Sequence, residues 1–299
     1  MAHRLMLIIN PNSGKNGVKL YLQDIISLFH SSGWEVTVFP THQSGDATIY
    51  IQENYDRFDL AVCCGGDGTL NEVITGMMHQ PLPLKLGYIP VGTANDLATT
   101  LHIKKNPLDA AADIMKGAEF IHDIGQFNDR YFAYIAAFGT FSDISYSTSQ
   151  SMKRSLGKMA YILQAVKKVG DIKPHHVKIT LDGTVIEDDF VMGAVTNSTS
   201  FAGVFRLRES ELRLDDGIFE VLLIKPPKNP IELTKIMDQL LHKKYDSNFV
   251  SLYHAKEISF ETESETPWCL DGELGGYYKQ VNIRPDKRQM TFYAGEKAK

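Results

Sequence analysis

Leu60-Ala61-Val62-Cys63-Cys64-Gly65-Gly66-Asp67-Gly68-Thr69-Leu70-Asn71-Glu72 is the stretch from which the rest of the chain is read. The apolar run Leu60 to Cys64 suits a strand buried on both faces. It runs straight into Gly65-Gly66-Asp67-Gly68-Thr69, and a helix is expected from Leu70 to about Met78. A glycine loop at this junction gathers backbone N–H groups and a helix N-terminus at one spot, which favours a bound anion. Glycines let the main chain approach phosphate oxygens without a Cβ in the way. Asp67 beside that spot suits Mg²⁺, which takes oxygen ligands and bridges phosphates. Thr69 and Asn71 can cap the helix and donate to phosphate. The competing reading is a tight turn with Asp67 as a turn residue. Three glycines and an acid in five residues exceed what a turn needs.

Outward from this stretch, strand and helix signals alternate. Arg4 to Ile9 reads as a buried strand. Val18 to His30 carries Leu22, Ile25, Ile26, Leu28 and Phe29 near helical spacing, with Gly33 as a stop. Glu35 to Phe39 alternates as a strand, Ala47 to Tyr55 reads as a helix, Leu84 to Pro90 as a strand and Pro107 to Lys116 as a helix. Repeated β-α units imply a parallel sheet with helices on both faces. Beyond about residue 120 the pattern changes. Tyr131–Phe138, Val177–Leu181, Val185–Val195, Phe219–Ile224, Ile258–Glu261 and Gln280–Arg284 read as strands, parted by turn signals such as Asp182-Gly183 and Asp216-Gly217. Helices are expected over Lys153–Val169 and Ile231–Lys244. The expected architecture is an α/β domain over 1–122 and a β-rich, mostly antiparallel domain over 123–299, with a return of the C-terminal tail to the first domain left open. Two domains meeting along an edge would leave a cleft, the usual place for a ligand.

Two further loops follow strands. Asn10-Pro11-Asn12-Ser13-Gly14-Lys15 supplies a hydroxyl, a flexible backbone and a cation, and reads equally as an ordinary strand-to-helix turn. Gly92-Thr93-Ala94-Asn95-Asp96 is again polar and small, and reads also as a helix cap through Thr93 or Asn95. The joint argument is better than any one loop, because ligands of open α/β sheets gather beyond the carboxyl ends of the strands. In the second half, Asp271-Gly272-Glu273 sets two carboxylates about a glycine. Phosphorylation of a hydroxyl needs a carboxylate to take or orient the alcohol proton. Taken alone, the motif reads first as a solvated hairpin turn. Asp215-Asp216-Gly217 also reads first as a turn, with a calcium- or magnesium-like site as the alternative.

The bulk composition bounds the possibilities. With 299 residues, 43% hydrophobic and 22% charged, the chain can build one large or two ordinary cores without disulfides. The formal charge of 31 − 36 = −5 argues against nucleic acid as the main partner. Cys63, Cys64 and Cys269 match neither a zinc spacing nor a disulfide framework, so a reducing cytoplasm is the expected setting. The apolar run at the N-terminus is too short for a signal peptide, and no stretch approaches a spanning helix.

Together these motifs resemble the diacylglycerol kinase catalytic-domain family, and within it the bacterial soluble lipid kinases. The matching residues are Asn10-Pro11 with Ser13-Gly14-Lys15, Thr41, Gly65 through Glu72, Gly92-Thr93-Ala94-Asn95-Asp96-Leu97-Ala98, Asp215-Asp216-Gly217 and Asp271-Gly272-Glu273. Ala94 departs from the glycine of many relatives. The resemblance implies a nucleotide domain similar to those of phosphofructokinases and NAD kinases, followed by a β-sandwich domain. It implies ATP held by Asn10, Ser13, Lys15, Thr41, Gly65, Gly66, Asp67, Gly68, Thr69, Leu70, Asn71, Glu72, Thr93 and Asn95. It further implies Glu273 as proton acceptor, Asp271 close to metal or substrate, and Asp67 facing Mg²⁺ and the phosphates. A structural Mg²⁺ would take the Asp216 carboxylate and the Arg213 and Ile218 carbonyls. NAD kinases share Gly-Gly-Asp-Gly-Thr but carry a Thr-Gly-Ser-Thr-Ala-Tyr-like segment absent here. Sphingosine and ceramide kinases tend to lack an acid at the position of Asp96.

The implied activity is ATP- and Mg-dependent phosphorylation of a lipid hydroxyl, with diacylglycerol favoured. The alternatives are a soluble-substrate kinase of the NAD kinase type and a catalytically silent nucleotide- or lipid-binding regulator. A lipid kinase without a membrane span is expected to be cytoplasmic and to visit the inner face of the membrane. The segment 152–169 carries Lys153, Arg154, Lys158, Lys167 and Lys168 with no acid, and suits either anionic headgroups or a solvated face of a core helix. A homodimer is a further expectation.

Overall fold

The computed structural model describes residues 3–14, 17–139, 173–201, 205–206, 213–245 and 248–293. Lys15 and the basic segment 152–169 lie outside the described residues. The chain divides into two compact units. One comprises Met1–Ile124, Tyr131–Ala133 and Asp286–Lys299; the other comprises Gly125–Arg130 and Tyr134–Pro285.

The first unit is built on a six-stranded sheet. Strands β1 (His3–Ile9), β2 (Trp34–Pro40), β3 (Leu60–Gly65) and β4 (Lys85–Pro90) run parallel in the order β2-β1-β3-β4. Every residue of β3 is buried, as its unbroken apolar run requires. Helices α1 (Gly17–Ser31), α2 (Asp46–Asn54), α3 (Asp67–Met78), α4 (Asp96–Thr100) and α5 (Pro107–Lys116) lie between the strands in sequence. Ile25 and Phe29 of α1 and Ala110 and Ile114 of α5 share one core with Leu5, Leu7, Ile9, Val62 and Cys64. The pleat sends Met6, Ile8 and Cys63 to the opposite face, where they are equally buried. There α2 and α3 pack closely: a side chain at Gly76 would press on Ile51 and on the Thr48 carbonyl. α5 follows local capping rules. Asn106 accepts from the Leu108 and Asp109 N–H groups, Pro107 opens the helix, and Gly117 closes it with a positive φ.

Two features of this unit depart from the expectation, and a third, the return of the C-terminal tail, is one the sequence leaves open. α3 begins at Asp67 rather than Leu70, so most of the glycine loop is already helical. A short helix, α4, follows the Gly92–Asn95 loop. The sheet is completed by strands from distant parts of the chain: β5 (Glu119–His122) pairs antiparallel with Met290–Tyr293, the last strand, which itself runs parallel to β4.

The second unit is antiparallel throughout its described pairings. Its strands are β6 (Gly125–Phe127), β7 (Arg130–Phe132, shared with the first unit), β8 (Ile135–Gly139), β9 (His175–Leu181), β10 (Thr184–Phe190), β11 (Met192–Thr196), β12 (Ser200–Phe201), β13 (Phe205–Arg206), β14 (Phe219–Ile224), β15 (Val250–Ala255), β16 (Ile258–Leu270) and β17 (Glu273–Pro285). The main sheet runs β15-β14-β11-β8-β16-β17-β6, with β9 also on β16 and β10 on β9. β18 (Met290–Tyr293) closes the strand list in the first unit. The core is aromatic, with Phe127, Phe138 and Phe260 each packed on Trp268. Helix α6 (Pro230–His242) replaces the expected 231–244, with Asn229 accepting from the Glu232 N–H as its cap.

The sequence reading merged or truncated several strands. Tyr131–Phe138 breaks at Ala133 and Tyr134, and Val185–Val195 breaks at Val191. Ile258–Glu261 and Gln280–Arg284 are the ends of one long hairpin, β16–β17, whose other end turns at Asp271-Gly272.

Candidate active site

In the first unit the three loops at the carboxyl ends of β1, β3 and β4 are drawn together by backbone bonds. The Asn10 N–H donates to the Cys64 carbonyl (3.0 Å), the Val91 N–H to the Gly65 carbonyl (2.9 Å), and the Thr41 N–H to the Ile9 carbonyl (2.9 Å). These extend the sheet's register into the loops and set Asn10, Thr41, Gly65 and Gly92 along one rim. Side chains then tie the loops. Asn10 Nδ2 donates to Thr69 Oγ1 at 3.0 Å, and Asn10 Oδ1 accepts from the Asn12 N–H at 2.9 Å. Gly66 and Gly92 approach so closely that a Cβ on Gly92 would stand 2.6 Å from Gly66 Cα. A Cβ on Gly66 would point toward Ser13 Oγ at 4.0 Å.

Asp67 has a use its sequence position did not reveal. Its Oδ2 accepts from the Asn95 N–H at 2.8 Å and its Oδ1 from the Asp96 N–H at 3.0 Å. The carboxylate therefore staples the glycine loop to the loop after β4. Asn95 holds the other side of that staple in a left-handed conformation, φ 51°. Its Oδ1 accepts from the Gly92 N–H and its Nδ2 donates to the Gly92 carbonyl, both at 3.0 Å. Beneath it, the buried Tyr88 hydroxyl donates to Asn95 Oδ1 at 3.2 Å. Burial first, and then the nearby Asp67 carboxylate, raises the Tyr88 hydroxyl's pKa, so it remains a donor.

The expected caps are not formed. Gly66 is the N-cap of α3 and no side chain caps it. Thr69 sits inside the helix with its hydroxyl on Asn10, and Asn71 Nδ2 donates to the Tyr131 carbonyl at 3.3 Å. Likewise neither Thr93 nor Asn95 caps α4 through its side chain. With no side chain capping α3, the Gly68 and Thr69 amides and the positive end of the helix can serve an anion. Leu70 brings nothing to the rim: its N–H donates to the Gly66 carbonyl and its side chain is buried. Glu72 instead braces the Thr41 loop, with Ser44 Oγ donating to Glu72 Oε1 at 3.0 Å. Cys63 and Cys64 are buried, and burial lifts the Cys64 thiol to about 12, so neither is a nucleophile.

In the second unit, Asp271 and Gly272 form the two-residue turn of the β16–β17 hairpin with φ of 50° and 91°, the handedness of a type I′ turn. The hairpin reading of this motif is thus the observed one. Asp271 is 1% exposed. Its Oδ1 accepts from the Tyr134 N–H (2.9 Å) and the Ile135 N–H (3.0 Å), while its own N–H donates to the Ile135 carbonyl (2.9 Å). The aspartate is an anchor, and it holds the exposed Glu273 at the head of β17.

The Tyr134 carbonyl continues this network. It accepts from Thr196 Oγ1 at 2.6 Å and from the Asn197 N–H at 3.1 Å, and Asn197 Nδ2 reaches the Leu214 carbonyl at 3.2 Å. That carbonyl belongs to the turn expected to bind metal. There Asp216 Oδ1 accepts from the Ile218 N–H at 3.0 Å, and Gly217 has a φ of 70°. Among the described residues no group of three or more His, Cys, Asp and Glu side chains is placed to hold a metal. A cation at this turn would need the Arg213 and Ile218 carbonyls beside Asp216. One observation fits such a cation. Glu220, which sequence reasoning passed over, is buried four residues on, and its Oε2 has no hydrogen-bond partner among the described residues. Its signal was a single acid in the otherwise apolar strand Phe219-Glu220-Val221-Leu222-Leu223-Ile224.

Comparison with known proteins agrees with both units. Residues 4–127 match the diacylglycerol kinase catalytic domain, and residues 139–291 match the YegS C-terminal NAD kinase beta sandwich-like domain. The chain is 33% identical over 281 residues to a diacylglycerol kinase of Staphylococcus carnosus, covering 92% of this chain and 90% of that one. It is 32% identical over 278 residues to a diacylglycerol kinase of Staphylococcus aureus strain MRSA252, covering 92% and 88%. A Bacillus anthracis crystal structure assigned as a diacylglycerol kinase superimposes with a TM-score of 0.85 at 27% identity, over 99% of this chain and 97% of that one. An NAD kinase from Archaeoglobus fulgidus, solved in complex with ATP, shares the fold at a TM-score of 0.60 and 14% identity, over 99% and 95% of the two chains.

Proposed function

The chain belongs to the diacylglycerol kinase catalytic-domain family, and from that premise we propose that it transfers the γ-phosphoryl group of ATP to the hydroxyl of diacylglycerol or a closely related lipid. The observation that carries this reading is the uncapped N-terminus of α3 within a rim of glycine and small polar residues, stapled by Asp67. Such a rim holds phosphates through amides and a helix end, without needing a cationic side chain at every oxygen.

In this reading Asn10, Ser13, Lys15, Thr41, the Gly65–Glu72 segment, Thr93 and Asn95 surround the nucleotide. Two bond changes make up the transfer. The lipid hydroxyl oxygen forms a bond to the γ-phosphorus as the bond from that phosphorus to the β–γ bridging oxygen breaks, releasing ADP. The hydroxyl proton passes to the Glu273 carboxylate. Asp271 acts through Glu273, by fixing the turn on which it stands. A magnesium ion, when bound, neutralises charge on the phosphates. Asp67 can contribute an oxygen lone pair to it while its staple to Asn95 and Asp96 holds. No described helix is long and apolar enough to cross a membrane. The lipid is therefore proposed to be met at the surface of the bilayer, with the basic residues between Lys153 and Lys168 offering contact to anionic headgroups.

The test is Glu273→Gln assayed with Mg·ATP and diacylglycerol in anionic mixed micelles. Turnover is expected to fall by roughly 10²–10⁴-fold while ATP still binds. Turnover near that of the parent protein removes Glu273 from the mechanism.

A further inference from the structure

Glu220 is not accounted for by the proton transfer or by the nucleotide rim. It stands in β14, where all six residues are buried, and is itself 3% exposed. A carboxylate so placed is retained only with a compensating partner. Beyond a hydrogen bond from Glu220's own backbone N–H, the described surroundings offer little. Thr196, directly across on β11, has its hydroxyl on the Tyr134 carbonyl. His254, across on β15, brings Nε2 no nearer than 4.0 Å to Oε1, and its side chain is 48% exposed. Oε2 has no hydrogen-bond partner among the described residues. Asp216, four residues earlier, is close enough for its like charge to act on Glu220. Among the described residues, no cationic side chain stands within hydrogen-bond distance of this carboxylate.

We propose that Glu220 is a ligand of a divalent cation shared with Asp216, giving the 213–218 turn a second carboxylate and anchoring it to the buried strand β14. This rests on reading that turn as a cation site, which the family resemblance implies through the Asp216 carboxylate and the Arg213 and Ile218 carbonyls. A hard, oxygen-seeking ion such as Mg²⁺, Mn²⁺ or Ca²⁺ is the matching chemistry, since every donor here is a carboxylate or a carbonyl. The consequence is structural. The Leu214 carbonyl receives Asn197, and Asn197 leads through the Tyr134 carbonyl to the anchor of the Glu273 turn.

The experiment is cation binding to the nucleotide-free protein, stripped of metal and titrated with Mn²⁺ and then Mg²⁺, with melting temperature followed in parallel. Asp216→Asn, Glu220→Gln and Glu220→Leu are compared with the parent chain. The parent is expected to bind one ion and to melt higher with it. Both Glu220 variants are expected to bind at least about tenfold more weakly and to lose that rise. Without cation they are expected to melt at or above the parent, because an uncompensated buried carboxylate has been removed. Glu220→Leu, which matches its apolar neighbours, carries the test if Glu220→Gln does not fold. If the Glu220 variants bind as the parent does while Asp216→Asn does not, Glu220 is no ligand and the proposal falls. If all variants bind as the parent does, or the parent binds nothing, the cation reading of the turn falls and the proposal with it.

Discussion

At the scale of single residues, the loops after β3 and β4 are joined by one carboxylate, Asp67, which accepts from the Asn95 and Asp96 N–H groups. Asp67 was legible as the acid of the glycine loop. Its grip on the amides of Asn95 and Asp96, 28 and 29 residues away, depends on β3 and β4 being neighbours, which no local pattern reports. Tyr88 left no signal at all, being one aromatic residue in an apolar strand. Removing its hydroxyl in Tyr88→Phe leaves Asn95 Oδ1 with one donor fewer. We expect about 1 kcal/mol lost from stability in a denaturant titration. We also expect a several-fold rise in KM for ATP with kcat nearly unchanged, because the loop and not the transfer is disturbed. Asp271 is tested by contrast. Asp271→Ala strands two buried N–H groups and is expected to cost about 2–4 kcal/mol. Asp271→Asn retains an acceptor oxygen for them, and its turnover should stay well above that of Glu273→Gln. Equal loss in both would make Asp271 a catalytic group rather than a positioning one.

At the scale of elements, unbroken apolar runs and glycine breaks were sufficient for β1, β3, β4, α1 and α5, where burial and period coincide. They were insufficient for β18, whose four residues are too few to show a period, and for β16, whose polar middle Glu261-Thr262-Glu263-Ser264-Glu265 hides a continuous strand. The loops between elements depend on close approach. Gly92→Ala would place a methyl 2.6 Å from both Gly66 Cα and Asn95 Oδ1, so the loops after β3 and β4 must part. Calorimetry with ATP is expected to show at least about a tenfold loss of affinity in that variant, a cost of about 1.4 kcal/mol or more. The β5 strand carries a pH-sensitive contact. His122 is fully buried, with Nε2 donating to the Ala133 carbonyl at 2.7 Å, and burial holds its pKa below the ordinary 6.5. The unfolded chain therefore binds a proton that the folded one refuses. Stability is full above 6.5 and declines as pH falls through that value toward the lowered folded pKa. Melting temperature measured from pH 7.5 down to 5 should fall, and His122→Gln should flatten that contribution.

At the scale of the whole molecule, the family and the two-part architecture were both legible because the matching motifs are spread along most of the chain. The division itself is more interleaved than a cut at one residue. Tyr131–Ala133 and Asp286–Lys299 belong with the N-terminal unit, held there in part by β18 and by Arg288, whose guanidinium donates to Asp286, to the Gln80 carbonyl and to the Tyr131 hydroxyl. Periodicity cannot show such returns, since they are decided by pairings among segments more than a hundred residues apart. The lipid is the least legible part, because apolar side chains that would meet an acyl chain read the same as core. The measurement that tests the central claim most directly is transfer of labelled γ-phosphate from Mg·ATP in anionic mixed micelles. Diacylglycerol, monoacylglycerol, sphingosine, ceramide and undecaprenol are offered in parallel, with NAD as the soluble control. The account predicts label in phosphatidic acid, formed from diacylglycerol and abolished in Glu273→Gln. Label in NAD, or none in any lipid while ATP still binds, would contradict it.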